Sequence, residues 1–529
     1  MTNRPLGAQI SHMLRDRGVD VIFGIPGVHN QEMYRGIQEA GLTHILARHE
    51  QGAGFMADGY ARATGRPGVC YVITGPGVCN VMTPMGQAYS DSVPMLVISS
   101  CLDETAAHRG QLHQMKDQQT AAGTVCDWSE TARSPQAAYQ LIDRALQEFA
   151  TKRPRSKHIQ VPIAQLMAPA GAAPQAKAET AALPVPDGRA VQSVLDHVTA
   201  AHRPLFVIGG GCVKAAKDDK IAPALQTTQP AVFVSYAGRG CVSPAYPLFL
   251  GSALARPSSD KVFEQADVVV IIGCNMDEVD LWRETASFAD DAVVIRVDID
   301  AEVLANDTRA NLCVLGDAAS VFEALGDTAC QTSDWTKVEI QNRKDGWLNE
   351  VTAERPGIVE AAQALRAALP NGTMVYSDMT QFAYAAKEVW DMDEPGHWHH
   401  PTGFGTLGYA LPAAIGGKIG CAATPVIAIA GDYGFQYSVQ ELIVAVENKL
   451  CLPIILWDNG KLGEIEASMI AAQIAPNAVD QMNPDFVALA HAYGAATARP
   501  QCLSDIAKAI DTALGHDGPT LIYLSSDIA

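Results

Sequence analysis

Short apolar runs recur along the chain, separated by longer stretches with helical spacing and closed by glycine, proline or small polar residues. In the first third they are Val21–Ile25, Gly68–Thr74, Met95–Ser99 and His158–Val161. In the middle they are Leu205–Ile208, Ala231–Val234, Val268–Ile272 and Val293–Val297. In the last third they are Met374–Ser377, Pro425–Ala430, Pro453–Trp457 and Thr520–Leu524. Continuously apolar strands alternating with helices predict parallel sheets covered on both faces. Two stretches interrupt the pattern: Ala168–Asp187, rich in alanine and proline without a periodic apolar face, and the region near Thr328–Lys337. The expected architecture is α/β, with three doubly wound parallel-sheet domains at 1–170, 185–328 and 345–529, the first and third able to share one design.

Of the 529 residues, 48% are hydrophobic and 18% charged, enough apolar material for several large cores and unlike the composition of a disordered chain. The formal charge of −20 disfavours nucleic acid and anionic membrane surfaces as partners. No uninterrupted apolar run is long enough to span a bilayer, and Met1–Gly18 is polar rather than leader-like. The 12 cysteines are scattered without CxxC pairs. That spacing reads as buried thiols in a reducing cytoplasm, not as zinc ligands or disulfides.

Ligands of open parallel sheets bind at the carboxyl ends of the strands. There the chain places Gly24-Ile-Pro-Gly27, Gly75-Pro-Gly77, Gly209-Gly-Gly211 and Gly431-Asp-Tyr-Gly434. In the last of these, glycines let backbone N–H groups approach a phosphate, and the helix expected at about 438–448 adds the positive end of its dipole. Asp432 offers a carboxylate oxygen, and Asn459, after the next apolar run, an amide oxygen; both are donors that suit Mg²⁺. Taken singly, Asp432 also fits an ordinary helix cap.

The stretch from Gly431-Asp-Tyr-Gly434 to Asp458-Asn-Gly-Lys461 resembles the GDG…NN signature of the thiamine diphosphate enzymes, with Asp432 and Asn459 at that family's ligand spacing. Tyr433 replaces its third-position glycine and Asp458 its first asparagine, and neither change removes a ligand. The resemblance implies thiamine diphosphate and Mg²⁺ as cofactors. It implies Asp432, Asn459 and the backbone oxygen of Lys461 on the metal, with Gly431, Tyr433 and Gly434 along the diphosphate. The run from Arg48-His-Glu-Gln-Gly to Tyr60-Ala-Arg-Ala-Thr-Gly65 matches the family's RHEQGAxxxADGYARxTG pattern, in which the glutamate, here Glu50, protonates N1′ of the aminopyrimidine. A glutamate favouring a helix start is the plainer alternative. The three domains would then be pyrimidine-binding, central Rossmann-like and diphosphate-binding.

Other positions follow from the same resemblance. Asn80, in Thr74-Gly-Pro-Gly-Val-Cys-Asn80, falls in the family's TGPGxxN loop, although a turn with an asparagine cap explains it as well. Gly403-Phe-Gly-Thr-Leu-Gly-Tyr-Ala-Leu-Pro412 resembles an acetolactate synthase stretch. Gly405 would receive the cofactor's 4′-amino proton, and Leu407 would wedge under the bent cofactor or simply pack in the core. Gln381, in Ser377-Asp-Met-Thr-Gln381, matches a TDxGQ turn near the diphosphate. His113 and Gln114 stand where relatives carry Phe-Gln-Glu or His-His, so His113 is a candidate proton donor or a hydrogen-bonded loop histidine. His29 lies beside Val28, which replaces an aspartate of simple decarboxylases. The run His397-Trp-His-His400 suggests a substrate channel rather than zinc.

In the middle third, Gly209-Gly-Gly211 lacks the third glycine and the acidic strand end of a dinucleotide fingerprint. NAD is not expected, and FAD, which acetolactate synthases carry there, is possible but not favoured. The resemblance implies a homodimer with shared active sites, commonly a tetramer, acting on a 2-oxo acid through a C2-ylide and an enamine. The runs around Glu50, Leu112–Gln118 and His400–Ala414 look closest to decarboxylases of 5-guanidino-2-oxopentanoate, whose cationic end Glu464 and Glu466 would face; a solvated helix start is the plainer reading of the two glutamates. An acetolactate synthase-type carboligase and an inactive cofactor-binding subunit are the rival readings.

Overall fold

The computed structural model describes residues 4–104, 106, 109–176, 182–306, 308–329 and 332–528. Cys330 and residues 177–181 of the first interdomain stretch lie outside the described residues. Three six-stranded sheets, each parallel throughout, correspond to the three expected domains. Across the first sheet run Thr43–Leu46, Val21–Gly24, Gly68–Val72, Met95–Cys101, Lys157–Pro162 and Trp128–Thr131. Across the third run Trp398–His399, Met374–Ser377, Val426–Gly431, Leu452–Asp458, Pro519–Ser525 and Ala496–Ala498. Numbered within each domain, both sheets have the order second, first, third, fourth, sixth, fifth. The central sheet instead runs Phe249–Gly251, Ala231–Val234, Pro204–Ile208, Val268–Ile272, Val293–Asp298, Leu312–Leu315. Its order of third, second, first, fourth, fifth, sixth is that of dinucleotide-binding folds.

Every apolar run of the sequence coincides with one of these strands to within two residues at its ends, and the additional strands are the two edges of each sheet. Interior strands are buried on both faces, as in Val268–Ile272, whereas the edge strand Leu312–Leu315 is largely open to solvent. A short pairing of Arg4–Pro5 with Pro169–Ala170 closes the first domain on itself. The helix Lys337–Glu354 runs through the expected boundary at 345, and its Ile340 and Trp347 pack into the central core. Among the described residues, no helix is long and apolar enough to cross a membrane.

One hydrophobic cluster joins the first and third domains, including Phe55, Met56, Tyr60, Tyr376, Tyr409 and Ile415. At its centre, helix Glu50–Thr64 crosses helix Ala410–Gly420 at backbone contact. A Cβ on Gly59 would sit 1.9 Å from the Ala413 carbonyl oxygen, and one on Gly416 1.8 Å from that of Met56. Tyr376 Oη donates to the Gly59 carbonyl at 2.7 Å across the same crossing. The helix that begins with Glu50 is therefore anchored to the third domain of its own chain.

Candidate active site

Candidate residues gather at the carboxyl edges of the first and third sheets. In the first domain Glu50 opens its helix behind the N-cap His49, whose Nδ1 accepts from Gln51 N at 3.1 Å. Asn80 Nδ2 donates to Glu50 Oε2 at 2.8 Å. Asn80 lies one turn inside helix Pro76–Ser90, not at a cap, so its amide is directed across to the carboxylate. The Thr74–Gly75 turn before that helix is pinned by Thr74 N and Oγ1 on Ser100 Oγ, at 3.0 and 2.8 Å, and by Gly75 N on Gln118 Oε1 at 2.8 Å.

Against this turn packs His113, held at φ +64°, a left-handed conformation that costs a non-glycine residue strain. Its ring meets His29 edge to face with centroids 4.9 Å apart. Each of the two imidazoles has a buried Nδ1 without a hydrogen-bond partner among the described residues. Burial, and after it the proximity of His113, hold His29 below the ordinary histidine value. Gln114 turns its side chain back to accept from Gln111 N at 3.2 Å, so of the two candidates in this loop His113 is the one that faces His29.

In the third domain the helix starts at Asp432 itself and ends at Ser438; the expected helix at 438–448 is a 3₁₀ turn, Val439–Glu441, followed by Leu442–Glu447. The glycine turn is thus the first turn of a helix. Asp432 Oδ2 accepts from Gly460 N at 3.0 Å, Gln481 Nε2 at 2.8 Å and Asn483 Nδ2 at 2.7 Å. These bonds draw it against the turn Asn459–Lys461. Asp458 Oδ1 accepts from the same Gly460 N at 3.0 Å and Asn483 Nδ2 at 2.9 Å. Burial raises the Asp432 pKa, the two amides oppose it, and Asp458 adds to it. Two adjacent acids beside a turn that presents an amide and carbonyl oxygens form a donor set that fits a hard divalent cation.

Around this turn, Asn459 Nδ2 donates to Gln381 Oε1 at 3.3 Å, and Gln381 Nε2 to Glu464 Oε2 at 3.3 Å. Helices Gln381–Val389, Asp432–Ser438 and Gly463–Ala471 begin here, and a Cβ on Gly463 would meet Gln381 Oε1 at 2.5 Å. Converging helix starts suit a diphosphate. Tyr433 turns outward to pack on Tyr437, ring centroids 5.5 Å apart, and Tyr437 packs on Gly408. The loop with Gly405 and half-buried Leu407 lies alongside: Gly408 N donates to Asp378 Oδ2 at 2.9 Å.

Two further expectations change. His397-Trp-His-His400 is not a channel wall: Trp398–His399 is a buried edge strand paired with Val375–Tyr376, and His400 Nδ1 bonds Ser377 Oγ at 2.9 Å. Burial holds His399 and His400 well below the ordinary histidine value. Glu464 and Glu466 are not free to face a cation. Arg355 forks onto Glu464 at 2.9 and 3.3 Å, holding it below its ordinary value despite burial, and Lys461 Nζ binds Glu466 at 2.6 Å. The central glycines serve backbone packing: a Cβ on Gly209 would meet the Gly273 carbonyl at 2.0 Å, and one on Gly211 would meet Gly273 Cα at 2.9 Å.

Both clusters lie within segments that match known protein domains. Residues 4–121 match the thiamine pyrophosphate enzyme N-terminal TPP binding domain, 191–325 its central domain and 378–524 its C-terminal TPP binding domain. The chain belongs to the thiamine pyrophosphate enzyme family. Among relatives of this enzyme, the "Probable 2-ketoarginine decarboxylase AruI" of Pseudomonas aeruginosa is 39% identical, over 98% of this chain and 93% of that protein. The "Acetolactate synthase isozyme 2 large subunit" of Escherichia coli is 28% identical over 98% of this chain and 95% of its own. An acetolactate synthase of Arthrospira platensis is 28% identical over 96% and 92%.

Several residues that shape the enzyme's site were not foreseen. Gln481 and Asn483, which hold Asp432, come from a loop with no apolar pattern. Gln118 sits in a polar run, and Arg355 at the end of a helix assigned to no motif. Glu441 is buried and accepts from Arg48 N at 3.0 and 3.2 Å, tying the Asp432 segment to the start of the Glu50 helix. Burial pushes its carboxyl up to about 7.

Proposed function

We propose that this enzyme decarboxylates a 2-oxo acid, 5-guanidino-2-oxopentanoate (2-ketoarginine), with thiamine diphosphate and Mg²⁺ as cofactors. The observation that carries the reading is a pair of half-sites on twin sheets, Asp432 drawn against Asn459–Lys461 on one and Glu50 held by Asn80 on the other. Similarity to the Pseudomonas protein, 39% identical across nearly both chains, supports the substrate. The bound coenzyme supplies a carbon nucleophile for the substrate carbonyl and an electron sink for loss of CO₂.

The chain's own residues do the rest. Asp432, Asn459 and the Lys461 carbonyl hold Mg²⁺, while Gly431, Tyr433, Gly434 and Gln381 line the diphosphate. Gly405 would receive the aminopyrimidine N–H, and Leu407 would support the cofactor. Glu50 shares a proton with pyrimidine N1′, and Asn80 fixes the orientation of its carboxylate. His113 delivers the proton that releases the aldehyde, backed by His29, with Gln114 behind it. Two copies of the chain combine opposite half-sites in a homodimer, and pairs of dimers form a tetramer. Exposed Val28 and Leu112 beside the first half-site, and Phe404, Tyr437, Ile465 and Ile470 beside the second, support those faces as the meeting surfaces. The Gly209–Gly211 turn lacks the third glycine of a dinucleotide fingerprint, which favours a central domain without flavin. Free buried thiols such as Cys70, Cys126 and Cys212 suit a cytoplasmic enzyme.

The test is a panel of 2-oxo acids offered with thiamine diphosphate and Mg²⁺, scored for CO₂, aldehyde and acyloin. The reading expects kcat/KM for 5-guanidino-2-oxopentanoate at least ~10-fold above that for pyruvate, with the aldehyde as product. Preferred turnover of pyruvate to acetolactate contradicts it and favours the carboligase reading, which the similarity to acetolactate synthases supports. Turnover of no 2-oxo acid favours an inactive subunit.

A further inference from the structure

The loop between edge strand Trp398–His399 and helix Ala410–Gly420 is held from two domains. Gly405 and Gly408 adopt φ of +66° and +79°, so Thr406 and Leu407 ride on a bend that side chains at its ends would resist. Its own domain supplies Asp378, through Gly408 N. The first domain of the same chain supplies three further acceptors. Gly403 N donates to Asp91 Oδ1 at 2.8 Å, Thr406 Oγ1 to Gln87 Oε1 at 2.9 Å, and Tyr409 Oη to Asp58 Oδ1 at 2.8 Å.

Those three acceptors are themselves joined. Arg62 Nε donates to Asp58 at 2.6 Å and its terminal nitrogen to Asp91 Oδ2 at 2.8 Å, while Gln87 Nε2 reaches Asp91 Oδ2 at 2.7 Å. Asp58 and Gln87 are fully buried, and Arg62 and Asp91 nearly so. Desolvation offsets much of the attraction in such a cluster, so what it contributes is one fixed arrangement of donors and acceptors.

We propose that Asp91, Gln87 and Arg62 are positioning residues for the reaction: they fix residues 403–409 so that the Gly405 carbonyl and the Leu407 side chain meet the cofactor's aminopyrimidine in one geometry. This rests on the reading in which Gly405 and Leu407 contact thiamine diphosphate. The helix that starts with Glu50 then acts at both ends, with Asp58 and Arg62 about two and three turns beyond it.

The mild test is Thr406→Val, which keeps the shape and removes the hydroxyl donor, with Thr406→Ser restoring it. In the cofactor-loaded enzyme, exchange of the thiamine C2 proton for deuterium is expected to slow ~10-fold or more in Thr406→Val and to stay within ~2-fold of wild type in Thr406→Ser, with KM little changed. In the cofactor-free chain, backbone amides of 403–409 are expected to take up deuterium faster in Thr406→Val alone. Asp91→Asn, which keeps an acceptor for Gly403 N but cannot receive both Arg62 and Gln87, is expected to behave as Thr406→Val; if it does not fold, Thr406→Val decides. Wild-type C2 exchange and wild-type amide protection in Thr406→Val would overturn the proposal. A wild-type enzyme that binds the cofactor without accelerating C2 exchange would instead overturn the proposed function.

Discussion

The first and third domains place their strands in the same order, and helices Glu50–Thr64 and Ala410–Gly420 pack them back to back, yet their strand ends carry opposite chemistry. The first offers titratable groups: a carboxylate oriented by an amide and a pair of imidazoles with nitrogens unpartnered among the described residues. The third offers two neighbouring acids, each accepting amide donors on one carboxylate oxygen, and helix starts that converge on one turn. The central domain has the strand order of a nucleotide-binding fold, and its glycine turn packs against the backbone of the neighbouring turn at Gly273. The scaffold decides where a site can form, and the residues at the strand ends decide what it does.

That division is breakable. Glu50→Gln is expected to lower kcat by 10²–10⁴-fold while leaving cofactor affinity within a few-fold of wild type. Asp432→Ala is expected to abolish Mg²⁺-dependent cofactor binding, measured by quenching of intrinsic fluorescence. If Glu50→Gln also released the cofactor, the half-sites would not be divided as described. His113→Ala is expected to cost ~10–100-fold in aldehyde release with CO₂ loss less affected, seen by comparing single-turnover CO₂ with steady-state aldehyde; equal loss of both would remove His113 from the proton step.

The smallest effect concerns Glu441. Its folded pKa of about 7 lies above the ordinary 4.5, so the folded chain binds a proton more tightly than the unfolded one. Its burden on stability is absent below about pH 4.5 and grows as pH rises toward 7. Glu441→Gln should therefore gain stability relative to wild type between pH 5 and 8, by about 1–3 kcal/mol in denaturant titrations. A pH-independent difference would mean that Glu441 ionises without penalty.

Much of this was legible in the sequence, for identifiable reasons. Interior strands such as Val268–Ile272 are buried on both faces and must be apolar throughout, so each stood out. Edge strands such as Thr43–Leu46 and Ala496–Ala498 are short and only partly apolar, too little to carry a signal. Asp432 and Asn459 were visible because they stand just past the ends of neighbouring strands, at a recognisable separation along the chain. Their supporting amides Gln481 and Asn483 need only reach the site in space, and nothing local marks them. The histidine run at 397–400 misled because a polar cluster in sequence was a buried edge strand in the fold.

The central claim is that a carboxylate from one copy completes the cofactor site of another, and subunit mixing tests it most directly. Glu50→Ala and Asp432→Ala, each inactive alone, are unfolded together, refolded as a mixture and assayed with thiamine diphosphate and Mg²⁺. A hybrid dimer has one site with both residues intact, so the mixture should recover about a quarter of the wild-type rate. A mixture that forms hybrid dimers, verified by mass spectrometry, and remains as inactive as its parents would contradict the account.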